Sequence, residues 1–468
     1  MRGLFDLASA SDFWQLTTQL FVGSNANNTA PFISNRVKEN LAPNKLSEVR
    51  AAVYYNQYDP VQNPDGVVAL AIAENKLMRD EITSHINKHF EITPWHLTYG
   101  EGPKGTKELR GHIASYVNDV FLPHVPIKDS DICLSNGAGS VVSNFAFCVG
   151  EPGDGILLSR PLYTGFFTDI PYSSKVKLVP VTMGAVDPIS ADAIPQYEKA
   201  LLEATKAGIT IRAMLIANPH NPLGRPYSRE ALIALARFCS KHNIHLLSDE
   251  VYAQTWFPSK DVPHPPSFVS VLSLDLQNYI NPALVHVIYA MSKDFEANGI
   301  RLGGLISPYN QELLAAFRSV AGFTRPSQLA EHVWLNLLKD KAFLDWYFPE
   351  MRRRMTHAYE YVTKRLSEHN VPYEVTTSGI CVWIDLSGYL ASDTEDAELA
   401  LNWRLAKAKV WIAMGATFGA EKAGHYRITF ATPHDVLQLG LDRMFGVLEE
   451  INRERQHTKG EELGHHVL

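Results

Sequence analysis

Short apolar runs alternate with amphipathic segments through the middle of the chain. The apolar runs are typical of buried β-strands, which we predict at residues 132–134, 155–159, 177–181, 212–217, 245–248 and 285–290. The segments between them repeat apolar residues at the spacing of a helix that packs on one face. Strands that alternate with helices indicate an α/β fold built on a large, mostly parallel sheet.

One of these helices is marked clearly at its start. Ser228 can act as the N-cap, and Glu230 places an anion in the first turn, where the helix dipole favours it. Apolar residues then recur at helical spacing, at Leu232, Leu235, Ala236 and Cys239. We therefore predict that a helix begins directly after Ser228.

The pattern differs towards both ends of the chain. Longer helical segments at 329–338 and 349–368, followed by mixed strands near 379–385 and 426–431, indicate a smaller α+β domain. The last residues are charged and polar, which is typical of a disordered end. We expect an N-terminal arm with part of the small domain at 1–79, a large domain at 80–325, a small C-terminal domain at 326–452 and a disordered tail at 453–468.

Composition and charge exclude several classes of protein. The chain has 468 residues and a net charge of −7, and it has no Lys/Arg-rich run, so we expect no nucleic-acid partner. No stretch approaches the roughly eighteen apolar residues that a membrane helix needs, and Asp6 interrupts what would be a signal peptide's apolar core. The four cysteines lack C-x-x-C spacing and fit reduced core thiols. We predict a cytoplasmic protein.

A lysine and an arginine follow the last predicted strand of the middle region. Lys293 lies in the segment 289–294, YAMSKD, and Arg301 comes eight residues later. A lysine amine at the end of an apolar strand can form a Schiff base with the aldehyde of pyridoxal phosphate and then carry protons. The planar fork of Arg301 could hold the cofactor's phosphate. Solvated surface cations remain the alternative interpretation of both side chains.

Polar residues also follow two other predicted strands. Asn221 lies in the segment 218–224, NPHNPLG, and Asp249 comes directly after 245–248. Open α/β sheets bind ligands at the carboxyl ends of their strands, so these side chains are site candidates. Asn221 can equally be a turn residue. Asp249 is costly to desolvate unless it is paired, and a protonated pyridine nitrogen is a suitable partner.

The order of these motifs resembles the fold-type I pyridoxal-phosphate enzymes of the class I/II aminotransferase superfamily. It is similar, more narrowly, to the 1-aminocyclopropane-1-carboxylate synthase branch, through segments 58–60 (YDP), 63–66 (NPDG), 73–77 (AENKL) and 218–224. The similarity runs from about residue 55 to 432. It implies a large cofactor-binding domain, whose mixed sheet is sandwiched by helices, and a smaller α+β domain.

The resemblance assigns roles to the residues around the cofactor ring. Lys293 would form the Schiff base and move the substrate's α-proton, and Asp249 would keep the pyridine nitrogen protonated. Tyr252 and Asn221 match the groups that hydrogen-bond the phenolic oxygen. Tyr163 matches the aromatic side chain that stacks on the ring.

The resemblance also assigns the phosphate and the substrate contacts. Ala138 and Gly139 occupy the turn that cradles the phosphate together with Arg301. Ser292 is the candidate to replace a phosphate contact that is missing because position 290 is Ala290. Arg427 matches the arginine that binds the substrate's α-carboxylate.

Tyr99 matches a residue that reaches the phosphate of the neighbouring protomer. The resemblance therefore implies a homodimer with shared active sites.

The sequence motifs do not determine which reaction the protein catalyses. Our leading hypothesis is a carbon–sulfur lyase that acts on an amino acid with a free α-carboxylate and a sulfur leaving group, for example by β-elimination of a cysteine S-conjugate. The alternatives are an aminotransferase with a 2-oxo acid co-substrate, a true 1-aminocyclopropane-1-carboxylate synthase and a non-catalytic binder of pyridoxal phosphate. The motifs do not fix the pocket residues on which this choice depends.

Overall fold

The computed structural model describes residues 34–38, 40 and 53–465. Residues 1–44 form a unit of their own, in which a short helix spans Asn35–Lys38. Most of the predicted N-terminal arm lies outside the described residues. The chain from residue 45 onward forms a second compact unit.

The second unit contains a large sheet and two small ones. Its strands are β1 Val68–Ala69, β2 Ile132–Ser135, β3 Gly155–Ser159, β4 Lys177–Val181, β5 Ile211–Ala217, β6 His245–Asp249, β7 Val285–Ala290, β8 Gly303–Ile306, β9 Cys381–Asp385, β10 Val410–Trp411, β11 Ala413–Met414 and β12 His425–Thr429. The large sheet has the order β2-β8-β7-β6-β5-β3-β4. Strand β8 is antiparallel to both of its neighbours, and the other neighbouring pairs are parallel.

This sheet confirms the predicted α/β fold. The predicted strands at 155–159, 177–181 and 285–290 coincide with β3, β4 and β7, and the other three differ from the observed strands by one residue. Every residue of β3 and of β7 is buried. Strands covered on both faces read as continuous apolar runs, which is why the sequence pattern located them.

Helices flank the large sheet and build most of the remaining unit. The longer ones span Arg79–His89, Lys107–Phe121, Ala138–Val149, Ile194–Lys206, Arg229–His242, Gln311–Ala321, Gln328–Lys339, Lys341–Glu368, Glu395–Lys407 and His434–His465. The Ser228 hydroxyl accepts a 3.1 Å hydrogen bond from the Ala231 N–H, which confirms the predicted N-cap. The predicted start at 349 falls inside a longer helix, because Asp340 caps the chain earlier by accepting from the Phe343 N–H at 2.9 Å.

The small sheets join distant parts of the chain. Strands β11, β12 and β9 form an antiparallel sheet, while β1 pairs in parallel with β10. The last helix continues through residues 453–465, which differs from the predicted disordered tail. Glu454 is paired there, since Arg404 donates to its carboxylate at 2.8 and 2.9 Å. The division into a large and a small domain stays a prediction.

Candidate active site

Lys293 lies at the carboxyl end of the large sheet. Strand β7 ends at Ala290, and the next helical turn, Met291–Asp294, carries the lysine and a buried Ser292. The Lys293 Nζ donates a 2.6 Å hydrogen bond to the Ala73 carbonyl oxygen. Burial lowers the pKa of Lys293 to about 8, and the nearby Arg427 charge also lowers it. A neutral amine is thus accessible near neutral pH, as a nucleophile requires.

Asp249 ends the neighbouring strand β6. It is buried, and its Oδ1 accepts a long, 3.4 Å hydrogen bond from the Val251 N–H. Burial raises the pKa of Asp249 to about 7. A buried carboxylate is stabilised by a cation that is desolvated with it, and the protonated ring nitrogen of pyridoxal phosphate fits that requirement.

The N-terminus of the Ala138–Val149 helix forms a cradle for an anion. Its N-cap, Gly137, has a φ of 106° and has no side chain that could cap the N–H groups of the first helical turn. A Cβ atom at Gly137 would lie 2.3 Å from Arg301 Nη2, so the guanidinium packs directly against this backbone. Free N–H groups, the helix dipole and an arginine together suit a phosphate. Arg301 therefore lies at the N-terminus of the helix that begins with Ala138 and Gly139.

An acid lies beside this cradle that the sequence did not single out. A Cβ atom at Gly139 would lie 3.0 Å from Asp169 Oδ2. Burial raises the pKa of Asp169 to about 6, against the opposing effects of a Thr168 hydrogen bond and the Arg301 charge. The one signal in the sequence is a carboxylate within the apolar segment 162–170.

Arg427 and Asn221 meet although Arg427 lies in β12 of a small sheet and Asn221 follows β5 of the large sheet. Arg427 Nη1 donates to Asn221 Oδ1 at 3.0 Å, and Nη2 donates to the Ala71 carbonyl oxygen at 2.7 Å. The Arg427 Nε is buried and has no partner among the described residues. Its guanidinium carbon lies 4.6 Å from the centroid of the Phe418 ring. The arginine is thus fixed in place, and its Nε–H is among the donors left for a ligand.

Two tyrosines complete the cluster. The Lys293 Nζ lies 5.7 Å from the centroid of the Tyr252 ring, and burial raises the pKa of Tyr252 well above its ordinary value. Burial also raises the pKa of Tyr163, and the charges of Asp169, Arg427, Asp249 and Arg301 all act on its hydroxyl. Both phenols are therefore neutral hydrogen-bonding groups close to the charged residues.

Tyr99 lies outside this cluster. Its side chain is 80% exposed, and the Arg325 guanidinium covers its ring at 4.4 Å. The structure therefore does not bring Tyr99 together with the other predicted site residues of its own chain.

A small cavity opens beside Asn221 and Tyr252. Its other lining residues are His220, Pro222, Gly224, Gly379, Ile380 and Cys381. Burial lowers the pKa of His220 to about 3, so the imidazole is neutral. Cys381 is one of the four cysteines for which the sequence predicted core thiols. The Ala73 carbonyl that accepts from Lys293 could not be found from the sequence, because a backbone acceptor has no sequence signal.

Known proteins give independent evidence on the family. The family model "Aminotransferase class I and II" matches residues 67–444. The mouse "Probable inactive 1-aminocyclopropane-1-carboxylate synthase-like protein 2" is 31% identical, over 86% of this chain and 69% of its own length. The "Probable aminotransferase tcpI" of Claviceps purpurea (strain 20.1) is 33% identical, over 82% and 89%. The 1-aminocyclopropane-1-carboxylate synthase CMW33 of Cucurbita maxima is 29% identical, over 86% and 82%.

A solved structure supports the same fold. The "Thermus thermophilus aspartate aminotransferase double mutant 1" has a TM-score of 0.69 and 21% identity, with 89% of this chain and 99% of that chain covered. Among the described residues, no helix is both long and apolar enough to cross a membrane. The chain belongs to the class I and II aminotransferase family, and it is a pyridoxal-phosphate-dependent enzyme related to the 1-aminocyclopropane-1-carboxylate synthases.

Proposed function

We propose that this enzyme is a carbon–sulfur lyase that acts on an amino acid with a free α-carboxylate and a sulfur leaving group. The observation that carries the proposal is the cavity beside Asn221 and Tyr252. Its lining includes no lysine, arginine or ionised carboxylate, and its histidine is neutral. A neutral lining favours an uncharged thioether side chain over the second carboxylate of a dicarboxylic amino acid.

The proposed cofactor site uses the residues gathered at the sheet edge. The phosphate would be held by Arg301, Ala138 and Gly139. Asp249 would pair with the ring nitrogen. Tyr163 would stack on the ring, and Tyr252 and Asn221 would hydrogen-bond its phenolic oxygen. Ser292 stays a candidate for a further phosphate contact. When bound, pyridoxal phosphate supplies an electron-withdrawing ring that stabilises negative charge at the substrate's α-carbon.

The chain's own residues would then bind the substrate and move a proton. Arg427 binds the α-carboxylate, and its contacts with Asn221 and Ala71 fix its orientation. Lys293 takes the proton from the α-carbon, which its lowered pKa permits near neutral pH. The Cβ–S bond breaks and sulfur leaves with the electron pair. A cysteine S-conjugate and water thus yield a thiol, pyruvate and ammonium.

An aminotransferase is the second candidate, and the name of the Claviceps purpurea relative favours it. The two reactions differ in what they consume. We expect S-benzyl-cysteine alone to yield pyruvate, ammonium and thiol in equal amounts. A reaction that consumes the amino acid only when 2-oxoglutarate is present, without release of ammonium, would show transamination instead.

The cavity gives a matched test of the substrate class. S-Methyl-cysteine should give a higher kcat/KM than S-carboxymethyl-cysteine, because the neutral lining disfavours a second carboxylate. Equal values with both substrates would show that the lining does not select for the charge of the sulfur substituent.

We also propose a cytoplasmic homodimer in which Tyr99 reaches the neighbouring active site. The exposure of Tyr99 supports its availability to a partner, and the four free cysteines fit a reducing compartment. Sedimentation of the holoenzyme should show a dimer. An active monomer would contradict the shared site.

A further inference from the structure

Two histidines of the Arg79–His89 helix form a cluster with Asp340, which precedes the Lys341–Glu368 helix. His85 and His89 are four residues apart in the Arg79–His89 helix and therefore lie on the same face. Their ring centroids are 4.5 Å apart. Asp340 connects the Gln328–Lys339 helix to the Lys341–Glu368 helix, and its Oδ2 lies 3.1 Å from His85 Nε2. Each of the three residues offers a ligand atom within 4.8 Å of the other two.

The spacing of these atoms suits a metal ion. Ligands at zinc lie about 2.0–2.1 Å from the ion, so two ligands of a tetrahedral site are about 3.3 Å apart. The observed 3.1 Å between His85 Nε2 and Asp340 Oδ2 is close to that value. The carboxylate is already oriented, because its Oδ1 accepts from the Phe343 N–H at 2.9 Å. Metal sites commonly hold their ligands in place with such additional hydrogen bonds.

Burial and exposure also fit a site at the surface. The His85 side chain is only 5% exposed, and its Nε2 lies beside the Asp340 carboxylate. His89 is exposed and Asp340 is partly exposed, so an ion can enter from solvent. Two imidazoles and one carboxylate are nitrogen and oxygen donors that suit zinc, whereas magnesium and calcium prefer oxygen ligands alone.

We propose that His85, His89 and Asp340 bind one zinc ion, with water in the fourth position. The ion ties the Arg79–His89 helix to the start of the Lys341–Glu368 helix. Its role is structural, because binding to the folded enzyme stabilises that state relative to the unfolded chain. Without the ion, the same residues form a hydrogen bond from His85 to Asp340.

Equilibrium dialysis of the chelator-treated holoenzyme against zinc chloride tests the proposal. We expect one zinc per chain at this site and at least tenfold weaker binding in His89→Ala and in Asp340→Asn. Both variants should fold, since His89 is exposed and asparagine is as good an N-cap as aspartate. Zinc should raise the Tm of the wild-type enzyme more than that of either variant.

A second histidine pair provides the control. The rings of His96 and His332 are 4.3 Å apart, and Asn336 rather than a carboxylate lies at 3.1 Å from His332. His332→Ala should leave zinc binding unchanged. Unchanged binding in either His89→Ala or Asp340→Asn, or absence of bound zinc in the wild type, would overturn the three-ligand site.

Discussion

Arg427 donates a 3.0 Å hydrogen bond to Asn221 across 206 residues of sequence. Arg427 belongs to β12 of the small antiparallel sheet, whereas Asn221 follows β5 of the large sheet. The second guanidinium nitrogen donates to the Ala71 carbonyl oxygen at 2.7 Å, so a third chain segment meets at the same point. The two hydrogen bonds hold the guanidinium rigidly where a substrate carboxylate would bind, and rigid donors lose little entropy on binding.

Arg427→Ala should raise KM for an amino-acid substrate by about 10- to 100-fold, because a hydrogen bond to a charged group contributes about 1.5–3 kcal/mol. Steady-state kinetics of the holoenzyme measures this change. Arg443→Ala is the control, since Arg443 donates to the backbone carbonyls of Gly66 and Lys409 at 2.9 and 2.8 Å. An unchanged KM in Arg427→Ala would place the carboxylate elsewhere.

Lys293→Ala should remove turnover and the visible absorption of the lysine-linked cofactor together. The amine that forms the link and moves the proton is then absent. Lys104→Ala should retain both, because Lys104 donates to the Ser130 carbonyl oxygen at 3.3 Å and has no part in the proposed site. Absorption spectra and product assays of the two purified variants measure the visible absorption and the turnover. Full activity in Lys293→Ala would contradict the assigned role.

Cofactor binding by the apoenzyme should be faster at higher pH. Burial lowers the pKa of Lys293 to about 8, and only the neutral amine attacks the aldehyde. The rate of reconstitution with pyridoxal phosphate should therefore rise from pH 7 to 9, with a midpoint near pH 8. Arg427→Gln should move the midpoint upward, because the arginine's positive charge lowers the lysine pKa. A downward shift would contradict this interpretation.

The buried Asp294 carboxylate should increase the free energy of unfolding. It accepts from the Tyr289 hydroxyl at 2.7 Å and from the Gln254 N–H at 3.1 Å. Asp294→Ala should lower the free energy of unfolding by about 1–3 kcal/mol for each donor left without a partner. Asp294→Asn keeps one acceptor oxygen and should cost less. Chemical denaturation measures both values.

The control for Asp294 is an aspartate that also accepts from tyrosines but at the surface. Asp261 accepts from the hydroxyls of Tyr359 and Tyr373, each at 3.3 Å, and it is exposed. Asp261→Ala should cost much less, because water can replace the carboxylate. Equal losses in Asp294→Ala and Asp261→Ala would show that burial does not determine the effect.

The sequence by itself determined the large sheet and the residues at its edge. Strands such as β3 and β7 are nearly continuous apolar runs. The side chains that follow β5, β6 and β7 had to share one edge because these strands are parallel neighbours. Local signals also located the cap at Ser228, since a cap depends on residues three positions apart. Asn221, Asp249 and Lys293 were therefore accessible to sequence reasoning.

Only the tertiary structure decided which distant groups surround those residues. The Ala73 carbonyl that accepts from Lys293 is 220 residues away in sequence, and Asp169 approaches Gly139 through the packing of separate helices. Neither contact leaves a periodic pattern or a short motif. Burial likewise set the pKa values of Lys293 and Asp249. Desolvation depends on every neighbour that excludes water, and those neighbours are known only once the chain has folded.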